Sequence, residues 1–342
     1  MTTPTPEVHV EIVGRGHAAA LHAAALEHVP GVSTPSERPK RFRLGNRGRS
    51  SLDPLRAVIV ATPPRTHEAI VGPLLDAGVP VLVERPSTSA LAAIDRLRSL
   101  DRGRGLFRFG ENLLAAPLVR SAIELARTLD SPTLLSIRDH RPRPDWGLHG
   151  TPEFGGGVLF ERGISAVAIA LELLTDDVPV AVTAQVMTAK RRTDGDGMDD
   201  RAKIRLRFAR GLVAVLELDW SDTAPLWELQ TATDNGSMRV ELLPEPHLEI
   251  DGADRAGESG ANPRRDEPLD VYGYVAQLTD FVQRVRRGDP QRPGVDLAHA
   301  ALGVIVAAAA SARAKAEVDL PFGGPAHLTP YELLSGATSD DH

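Results

Sequence analysis

The N-terminal third of the chain alternates short apolar runs with stretches of helical periodicity. The apolar run at residues 8–13 ends in a glycine turn, and alanine-rich helical sequence follows to about His28. Further apolar runs at 56–62, 79–83 and 106–109 alternate with predicted helices over 66–77 and 91–100. Apolar strands separated by helices are typical of a buried, doubly wound parallel sheet. This pattern predicts an α/β fold with a Rossmann-like N-terminal domain.

In the C-terminal half, apolar and polar residues alternate with a period of two. The alternation runs through 180–187, 202–208, 212–220, 227–233 and 237–242, with hairpin signals at Arg210-Gly211 and Asp234-Asn235-Gly236. Strands without intervening helices predict an α+β domain with a large open, mainly antiparallel sheet. Helices are predicted over 274–287 and 295–315. A free apolar sheet face is expected to join copies into a homodimer or homotetramer.

These patterns divide the chain into three predicted parts. Residues 1–130 form the Rossmann-like dinucleotide-binding domain, which is shortened after its first helix. Residues 131–334 form the α+β substrate and oligomerisation domain, and residues 335–342 are expected to be a disordered tail.

Composition narrows the classes of function. The 342 residues are 42% hydrophobic and 25% charged, which suffices for a sizeable core. The chain has no cysteine, which excludes disulfides, thiolate metal sites and a cysteine nucleophile. A net charge of −7 argues against a nucleic-acid surface. The sequence shows no signal-peptide pattern, and its longest apolar run, at 300–310, is too short to span a bilayer. We therefore expect a cytoplasmic protein with no membrane partner.

The first turn carries a nucleotide-binding pattern, G-x-G-x-x-A, at residues 14–19. Gly14 allows the tight turn, and Gly16, followed by His17 and Ala18, lets a pyrophosphate approach the N-terminus of the helix. A glycine turn that only packs a strand on a helix remains the alternative. Ligands bind beyond the carboxyl ends of parallel strands, where Thr62, Glu84 and Asn112 also lie.

Three longer stretches resemble the Gfo/Idh/MocA oxidoreductases. The stretch ATPPRTHEAIVGPLLDAGVPVLVERP at 61–86 is similar to the family's A-T-P-P-x-x-H, helix, E-K-P region. GENLLAAPLVRSAIELA at 110–126 resembles the segment that leaves the nucleotide domain. EFGGGVLFERGISAVAIALELL at 153–174 resembles the family's G-G-G-x-x-x-D-x-G-x-H-x-x-D helix.

The resemblance implies an NAD(P)-binding first domain and a second α+β domain. It places Thr62 and Pro63 beside the cofactor and His67 where it orients the turn, with Glu84, Arg85 and Asn112 further along the site. No metal site is predicted, because the spacing of His140, Asp145 and His149 is not that of a known set of ligands.

Two departures from the family pattern fall on its catalytic positions. Arg85 replaces a lysine that takes part in proton transfer, and an arginine does not deprotonate in proteins. Glu161, Ser165 and Ala168 stand at the family's aspartate, histidine and second aspartate. With a spacing of four and three, these three residues are expected on one helix face. Arg85, Glu161 and Ser165 are the predicted catalytic residues; Glu161 paired with an arginine in a purely packing face is the alternative.

A third departure concerns the second strand. Residues 31–53 hold no acidic residue after a convincing strand, but they hold six basic residues. Ser36 and Arg38 are the predicted contacts to the 2′-phosphate of NADP, which is slightly favoured over NAD. A solvated loop with weakened cofactor binding is the alternative.

The segment 138–149 is expected to face the cleft between the domains. Arg143, Trp146 and His149 are the predicted substrate contacts, and His140 or His149 is a candidate to replace the missing acid. The sequence therefore predicts an NAD(P)-dependent oxidoreductase for a small, sugar-like, polyol or keto substrate. The alternatives are a catalytically silent or auxiliary family member and a non-redox lyase, cyclase or isomerase.

Overall fold

The computed structural model describes residues 7–34, 55–127, 132–145, 148–149, 151, 154–188, 198–220, 224–255 and 268–336. Within these ranges the strands form two sheets, one of five strands and one of nine. The predicted fold class is confirmed.

The first sheet is parallel throughout and has the strand order β2-β1-β3-β4-β5. Its elements are β1 (Val8–Val13), α1 (His17–Leu26), β2 (Val32–Ser33), β3 (Leu55–Val60), α2 (Pro64–Asp76), β4 (Val81–Glu84), α3 (Leu91–Asp101), β5 (Phe107–Gly110), a 3-10 helix (Asn112–Ala115) and α4 (Pro117–Ala126). β4 and β5 are buried along their whole length, as their apolar sequences predict. The second strand, β2, has only two residues, and no acidic residue stands at its end.

The second sheet has the order β13-β12-β11-β10-β6-β9-β8-β7-β14 and is antiparallel except where β6 pairs parallel to β9. Its strands are β6 (Leu134–His140), β7 (Pro179–Met187), β8 (Arg201–Phe208), β9 (Val213–Asp219), β10 (Leu226–Ala232), β11 (Ser237–Leu243), β12 (His247–Ile250), β13 (Ala253–Asp254) and β14 (Val318–Asp319). Part of the segment predicted to face the cleft, 138–140, therefore belongs to a strand.

The free face of the second sheet is charged, and the expectation of an apolar face is wrong. The outward positions of β8 are Arg201, Lys203, Arg205 and Arg207, while the intervening positions are buried. Arg201 lies 2.9 Å from Asp219 and Lys203 lies 2.6 Å from Glu217 on the neighbouring strand. The period-two pattern places these side chains on one face, where cross-strand ion pairs satisfy them.

The helix that carries Glu161 and Ser165 is interrupted, whereas a single helix face was expected. α5 (Val158–Glu161) ends at Arg162, and α6 (Gly163–Leu173) continues from there. Asp199 caps α5 from outside, because its carboxylate accepts hydrogen bonds from the backbone N–H groups of Gly157 and Leu159. α5 and α6 pack on the inner face of the second sheet.

The C-terminal helices bring the chain back to both sheets. They are α7 (Pro268–Val271), α8 (Tyr274–Arg287), α9 (Val295–Ala314) and α10 (Pro330–Ser335). α8 packs against α1, β1 and β3 of the first sheet, and α9 lies between the two halves, in contact with α3, β5, α6 and β7. The structural unit around the first sheet thus includes α8, which the predicted boundary near 131 assigns to the other domain.

α9 matches the helix predicted over 295–315 to within one residue. Its 20 residues are long and apolar enough to cross a membrane by length and composition, but 61% of its most apolar window is buried inside the molecule. Such burial is also found in the core helices of globular domains.

α10 contradicts part of the expected tail. Ser335 is the last residue of a helix that begins with a capping box formed by Thr329 and Glu332. Residues 337–342 lie outside the described part of the chain.

Candidate functional site

A cavity of about 620 Å³ lies at the carboxyl edge of the first sheet and extends to the start of the second domain. Gly14, Gly16, His17, Ala18, Thr62, Pro63, Glu84, Arg85, Asn112, His149 and Glu161 are the predicted site residues that line it. The carboxyl ends of β1, β3, β4 and β5 converge here because the strands are parallel.

The glycine turn forms one end of the cavity. Gly14 has a φ of +145°, and a Cβ atom there would lie 2.1 Å from the carbonyl oxygen of Ala61. A Cβ atom on Gly16 would meet no atom within 4 Å, so the backbone at the start of α1 is open to the cavity. α1 has no side-chain cap and no acidic residue in its first turn. Open N–H groups at a helix N-terminus suit an anion such as a pyrophosphate.

A buried amide on the cavity wall also fits a dinucleotide. Asn112 donates its Nδ2–H to the carbonyl oxygen of Tyr272 at 2.8 Å, while its Oδ1 has no partner within the described residues. An unsatisfied buried oxygen is costly, and a donor on a bound cofactor would satisfy it. The glycine turn and Asn112 thus fit the nucleotide that the fold implies.

His67 lies beneath the turn and does not line the cavity. Its ring nitrogens lie 2.7 Å from the carbonyl oxygen of Thr62 and 3.0 Å from that of Ser87, and the side chain is fully buried. Burial lowers the pKa of His67. This geometry fits a residue that orients the turn.

Arg85 is held between two buried carboxylates at the centre of the site. Its Nη1 donates to the backbone oxygen of Glu161 at 3.0 Å and to Oε1 of Glu161 at 3.2 Å, and its Nε lies 3.4 Å from Oε2 of Glu111. Burial lowers the pKa of Arg85, but Glu111, Glu161 and Glu84 outweigh that effect and raise it. Arg85 therefore remains a fixed cation.

Ser165 reaches this cluster from behind. The side chain is 2% exposed and does not line the cavity, and its Oγ–H donates to Oε2 of Glu111 at 2.6 Å. Glu111 also accepts from the backbone N–H of Leu113. Burial raises the pKa of Glu111, against the opposing effects of Arg85 and Ser165. The serine is placed to hold Glu111, not to meet a substrate.

On its other side, Glu161 continues into a chain of alternating charges. Its Oε2 lies 2.6 Å from Nε of Arg162, whose Nη1 lies 4.0 Å from Asp139. Asp139 in turn accepts from Arg141 at 2.6 Å. Burial raises the pKa of Glu161, but the neighbouring cations Arg162 and Arg85 outweigh this effect and lower the pKa to about 2. At neutral pH Glu161 is an anion with two partners and a poor proton donor.

Glu84 and Tyr274 line the cavity beside Arg85. Oε2 of Glu84 lies 2.6 Å from Nε2 of the buried His22, and the His22 ring meets the Tyr274 ring edge-on at 5.6 Å. Burial raises the pKa of Tyr274. α1, β4 and α8 are thereby joined beside Arg85.

The predicted substrate contacts divide into three cases. His149 lines the cavity, with its ring 4.5 Å from that of Phe154. Arg143 does not line it; its Nη1 lies 3.4 Å from Asp200 and its guanidinium lies over the Trp220 ring. Trp146, and the cofactor residues Ser36 and Arg38, lie outside the described residues.

Several lining residues were not predicted. They include Arg15, Leu21, Leu148, Phe154, Arg162, Leu269, Tyr272 and Tyr274. The sequence contains a signal for Arg15, because it lies inside the glycine motif. Tyr272 and Tyr274 come from a distant segment that only tertiary packing brings to the cavity. Glu111 lies behind the wall and gave no signal beyond following β5.

The cavity combines an anion-accepting helix N-terminus, a fixed cation at Arg85, and an imidazole at His149. This combination is suited to binding a dinucleotide and polarising a substrate oxygen next to it.

Comparisons with known proteins agree with this geometry. A family model described as "Oxidoreductase family, NAD-binding Rossmann fold" matches residues 8–108, and one described as "GFO/IDH/MocA C-terminal domain" matches residues 127–239. Together the two models match more than half of the chain. The first model names the predicted class of cofactor, a nicotinamide dinucleotide. It gives no support for the predicted preference for NADP over NAD.

Two curated relatives match over part of their length. An inositol 2-dehydrogenase of Leifsonia xyli subsp. xyli is 34% identical over 119 residues, which is 29% of this chain and 35% of that protein. A dTDP-3,4-didehydro-2,6-dideoxy-alpha-D-glucose 3-reductase of Saccharopolyspora spinosa is 26% identical over 165 residues, 47% of this chain and 48% of that protein. The chain thus spans between a third and a half of the length of these relatives.

Solved structures match over nearly the whole chain. GenD2 from gentamicin A biosynthesis, in complex with NAD, has a TM-score of 0.75 at 25% identity and covers 93% of this chain and 98% of its own. A myo-inositol dehydrogenase from Corynebacterium glutamicum ATCC 13032 has a TM-score of 0.71 at 18% identity, with 94% and 100% covered, and shows the shared fold. With both domain models, the matching fold and the glycine turn at the cavity in agreement, the chain belongs to the Gfo/Idh/MocA oxidoreductase family.

Proposed function

We propose that the protein is an NAD(P)-dependent oxidoreductase that transfers hydride to or from a carbon of a sugar-like or cyclic polyol substrate. The observation that carries the proposal is the single cavity that joins the open glycine turn at Gly14–Ala18 to Arg85, Glu161 and His149. The nucleotide would bind at the turn, and the substrate would lie at the opposite end.

The names of the relatives support a polyhydroxylated substrate. Both an inositol 2-dehydrogenase and a deoxysugar 3-reductase match this chain. GenD2, in complex with NAD, comes from the biosynthesis of gentamicin A. Each name describes a reaction or complex of that relative, and the class of ring-shaped, hydroxyl-rich substrates is what they have in common.

The residues at the substrate end have distinct roles in this proposal. A bound nicotinamide supplies the hydride acceptor or donor. Arg85 donates hydrogen bonds to the substrate oxygen and stabilises the negative charge that develops on it. Glu161 and Glu111 hold the guanidinium of Arg85 in place from two sides.

NADP(H) is the cofactor that we favour. β2 ends at Ser33 with no acidic side chain for a ribose 2′-hydroxyl, which an aspartate or glutamate binds in NAD-specific sites. The basic residues of 36–49 support a 2′-phosphate.

The test is a titration of the purified protein with NADPH and NADH, followed by reduced-nicotinamide fluorescence, and then a turnover screen with NADP⁺ or NAD⁺. Suitable probes are myo-inositol, D-glucose, D-glucosamine and D-glucuronate. We expect binding below millimolar concentration, NADPH before NADH, and oxidation of at least one probe. If neither NADPH nor NADH binds, the proposal is contradicted.

The two alternatives, a silent family member and a non-redox enzyme, have no support in the comparisons. They remain distinguishable outcomes of this test: a silent member gives no turnover, and a non-redox enzyme converts a probe while the nicotinamide absorbance stays constant.

A further inference from the structure

The proposed reaction needs a group that takes a proton from the substrate hydroxyl, and the residues at the family's catalytic positions are unsuited to that task. Arg85 stays protonated. Glu161 already accepts from Arg85 and lies 2.6 Å from Arg162, and Ser165 does not line the cavity. The inference below rests on the proposed function and concerns which residue replaces them.

Three other titratable side chains of the described wall are also unsuited, and His17 lies at the glycine turn, the nucleotide end of the cavity. Glu84 is hydrogen-bonded to the buried His22 at 2.6 Å. Tyr272 lies beside Arg141, whose guanidinium is 5.9 Å from the centre of its ring. Burial raises the pKa of both Tyr272 and Tyr274, so their phenols stay protonated at neutral pH and do not act as bases.

His149 has the position that the task requires. It lines the cavity on the wall contributed by the second domain, and its ring rests against Phe154, which is 6% exposed and packs in turn on Phe160. Phe160 belongs to α5, the helix that ends at Glu161, so His149 lies at the same end of the cavity as Glu161 and its partner Arg85.

We infer that His149 is the proton carrier of this site, in place of the lysine and histidine that the family uses. In the oxidation direction, the substrate O–H bond breaks and its proton passes to an imidazole nitrogen of His149. The C–H bond breaks with both of its electrons, which leave as hydride to the oxidised nicotinamide. The oxygen electron pair forms the carbonyl bond, and Arg85 stabilises the oxygen throughout.

The electrostatic surroundings favour the neutral imidazole. Burial lowers the pKa of His149, as do Arg162 and Arg85, whereas Glu161 and Glu84 raise it. The net shift is downward from 6.5. A neutral base is therefore available at pH 7, and oxidation is expected to slow as the pH falls below the lowered pKa.

His140, the other histidine of the same segment, does not line the cavity. It lies at the end of β6, opposite Leu226 and Asp219 in the sheet register. His140→Gln is therefore a matched control for His149→Gln: the same substitution, nine residues away, outside the cavity.

The first experiment compares both variants with the wild type, using myo-inositol, D-glucose, D-glucosamine and D-glucuronate with NADP⁺ or NAD⁺. We expect His149→Gln to lower kcat about 100-fold and to lose the acidic limb of the pH profile. NADPH affinity is expected to stay within about twofold of wild type, and His140→Gln to match wild type. Unchanged kcat and pH profile in His149→Gln would overturn the inference.

The second experiment needs neither turnover nor cofactor. The pKa of His149 is measured by NMR titration of ¹⁵N-histidine-labelled protein, with His149→Gln identifying its signal. We expect the signal to titrate below 6.5, and at still lower pH in Glu161→Gln, because Glu161 raises the pKa of His149. A signal that does not titrate between about pH 4 and 8 would overturn the inference. If the wild type binds NADPH but oxidises no probe, the proposed substrate class fails, and this titration alone decides the role of His149.

Discussion

At the scale of single residues, the two departures from the family pattern form one cluster. Arg85 has a longer reach than the lysine it replaces, and its guanidinium lies between Glu161 and Glu111. Ser165, at the family's histidine position, donates its hydroxyl to the same Glu111. The Glu111 carboxylate lies between the two substituted positions and connects them.

Ser165→Ala tests whether this serine is a support of Glu111. Removing the donor leaves a buried carboxylate with one fewer hydrogen bond, which is expected to lower the free energy of unfolding by about 1.5–3 kcal/mol. Urea denaturation of the variant and the wild type measures this difference in the free energy of unfolding. Ser99→Ala is the control, because the Ser99 hydroxyl donates to its own helix in an exposed position, and a change below about 0.5 kcal/mol is expected. Equal stability of both variants would contradict the supporting role.

Glu161→Gln tests the ionised state of the buried carboxylate. Its folded pKa of about 2 lies below the ordinary value of 4.5, so its charge stabilises the fold above pH 4.5, and that contribution is lost as the pH falls toward 2. We expect Glu161→Gln to be about 3 kcal/mol less stable at pH 7 and the difference to shrink at pH 3.

The matched control for this carboxylate is Glu172→Gln, at the surface ion pair with Arg127. Its cost is expected to stay below about 1 kcal/mol at both pH values. A cost for Glu161→Gln that is constant between pH 7 and pH 3 would show that Glu161 is not the low-pKa group.

At the scale of elements, the strand–turn–helix unit at β1 and α1 separates structural from binding glycines. Gly14 is required by its backbone angle and by the close approach of Ala61, whereas Gly16 faces open space. The motif G-x-G alone does not distinguish these two roles, because the binding role of Gly16 depends on the empty space in front of it, which the tertiary structure creates.

Paired alanine substitutions test this separation. Gly14→Ala is expected to destabilise the protein by on the order of 3 kcal/mol, from the positive φ and the clash. Gly16→Ala is expected to change stability by less than about 0.5 kcal/mol but to weaken NADPH binding about tenfold or more, because the added methyl group occupies the anion site. Thermal unfolding and fluorescence titration measure the two effects. Full NADPH affinity in a folded Gly16→Ala protein would show that the nucleotide does not approach this turn.

At the scale of the whole molecule, the second sheet has one face against α5, α6 and α9 and one charged face. Buried Glu228 accepts from Arg138 and Arg239 on the two flanking strands, at 2.9 and 2.7 Å. We still propose a homodimer or homotetramer through this face, but one held by ion pairs, since the face is not apolar. Interfaces of that kind weaken with salt.

Light scattering after size-exclusion chromatography tests the assembly. We expect an oligomer in about 0.1 M NaCl that dissociates toward monomer in about 1 M NaCl. Arg205→Glu, in the centre of the outward face of β8, is expected to shift the protein to monomer. Arg120→Glu, at an exposed position of α4, is the control and should assemble like wild type. A monomer in both salt concentrations would contradict the proposal.

Much of the fold was predictable because it depends on local order. The cores of β1, β3 to β5 and β7 to β11, and of the helices α1 to α3, α8 and α9, follow from apolar runs, period-two alternation and glycine turns, which act over a few residues. The missed strands β6, β12, β13 and β14 are short or polar on one face, and the missed helices α7 and α10 have only four and six residues. The break at Arg162 was not predicted, because the spacing of Glu161, Ser165 and Ala168 is also that of one face of a continuous helix.

The sequence by itself determined the class of this protein: the glycine turn, the alternating elements and the family motifs all depend on residues close together in the chain. Only the tertiary structure decided the site. Arg85 directly follows β4, Glu111 directly follows β5, Glu161 ends α5 and Tyr274 begins α8, and no local pattern specifies which of them meet. Their charge states depend on burial and on partners up to 76 residues apart, so which residue is able to move a proton was settled by packing.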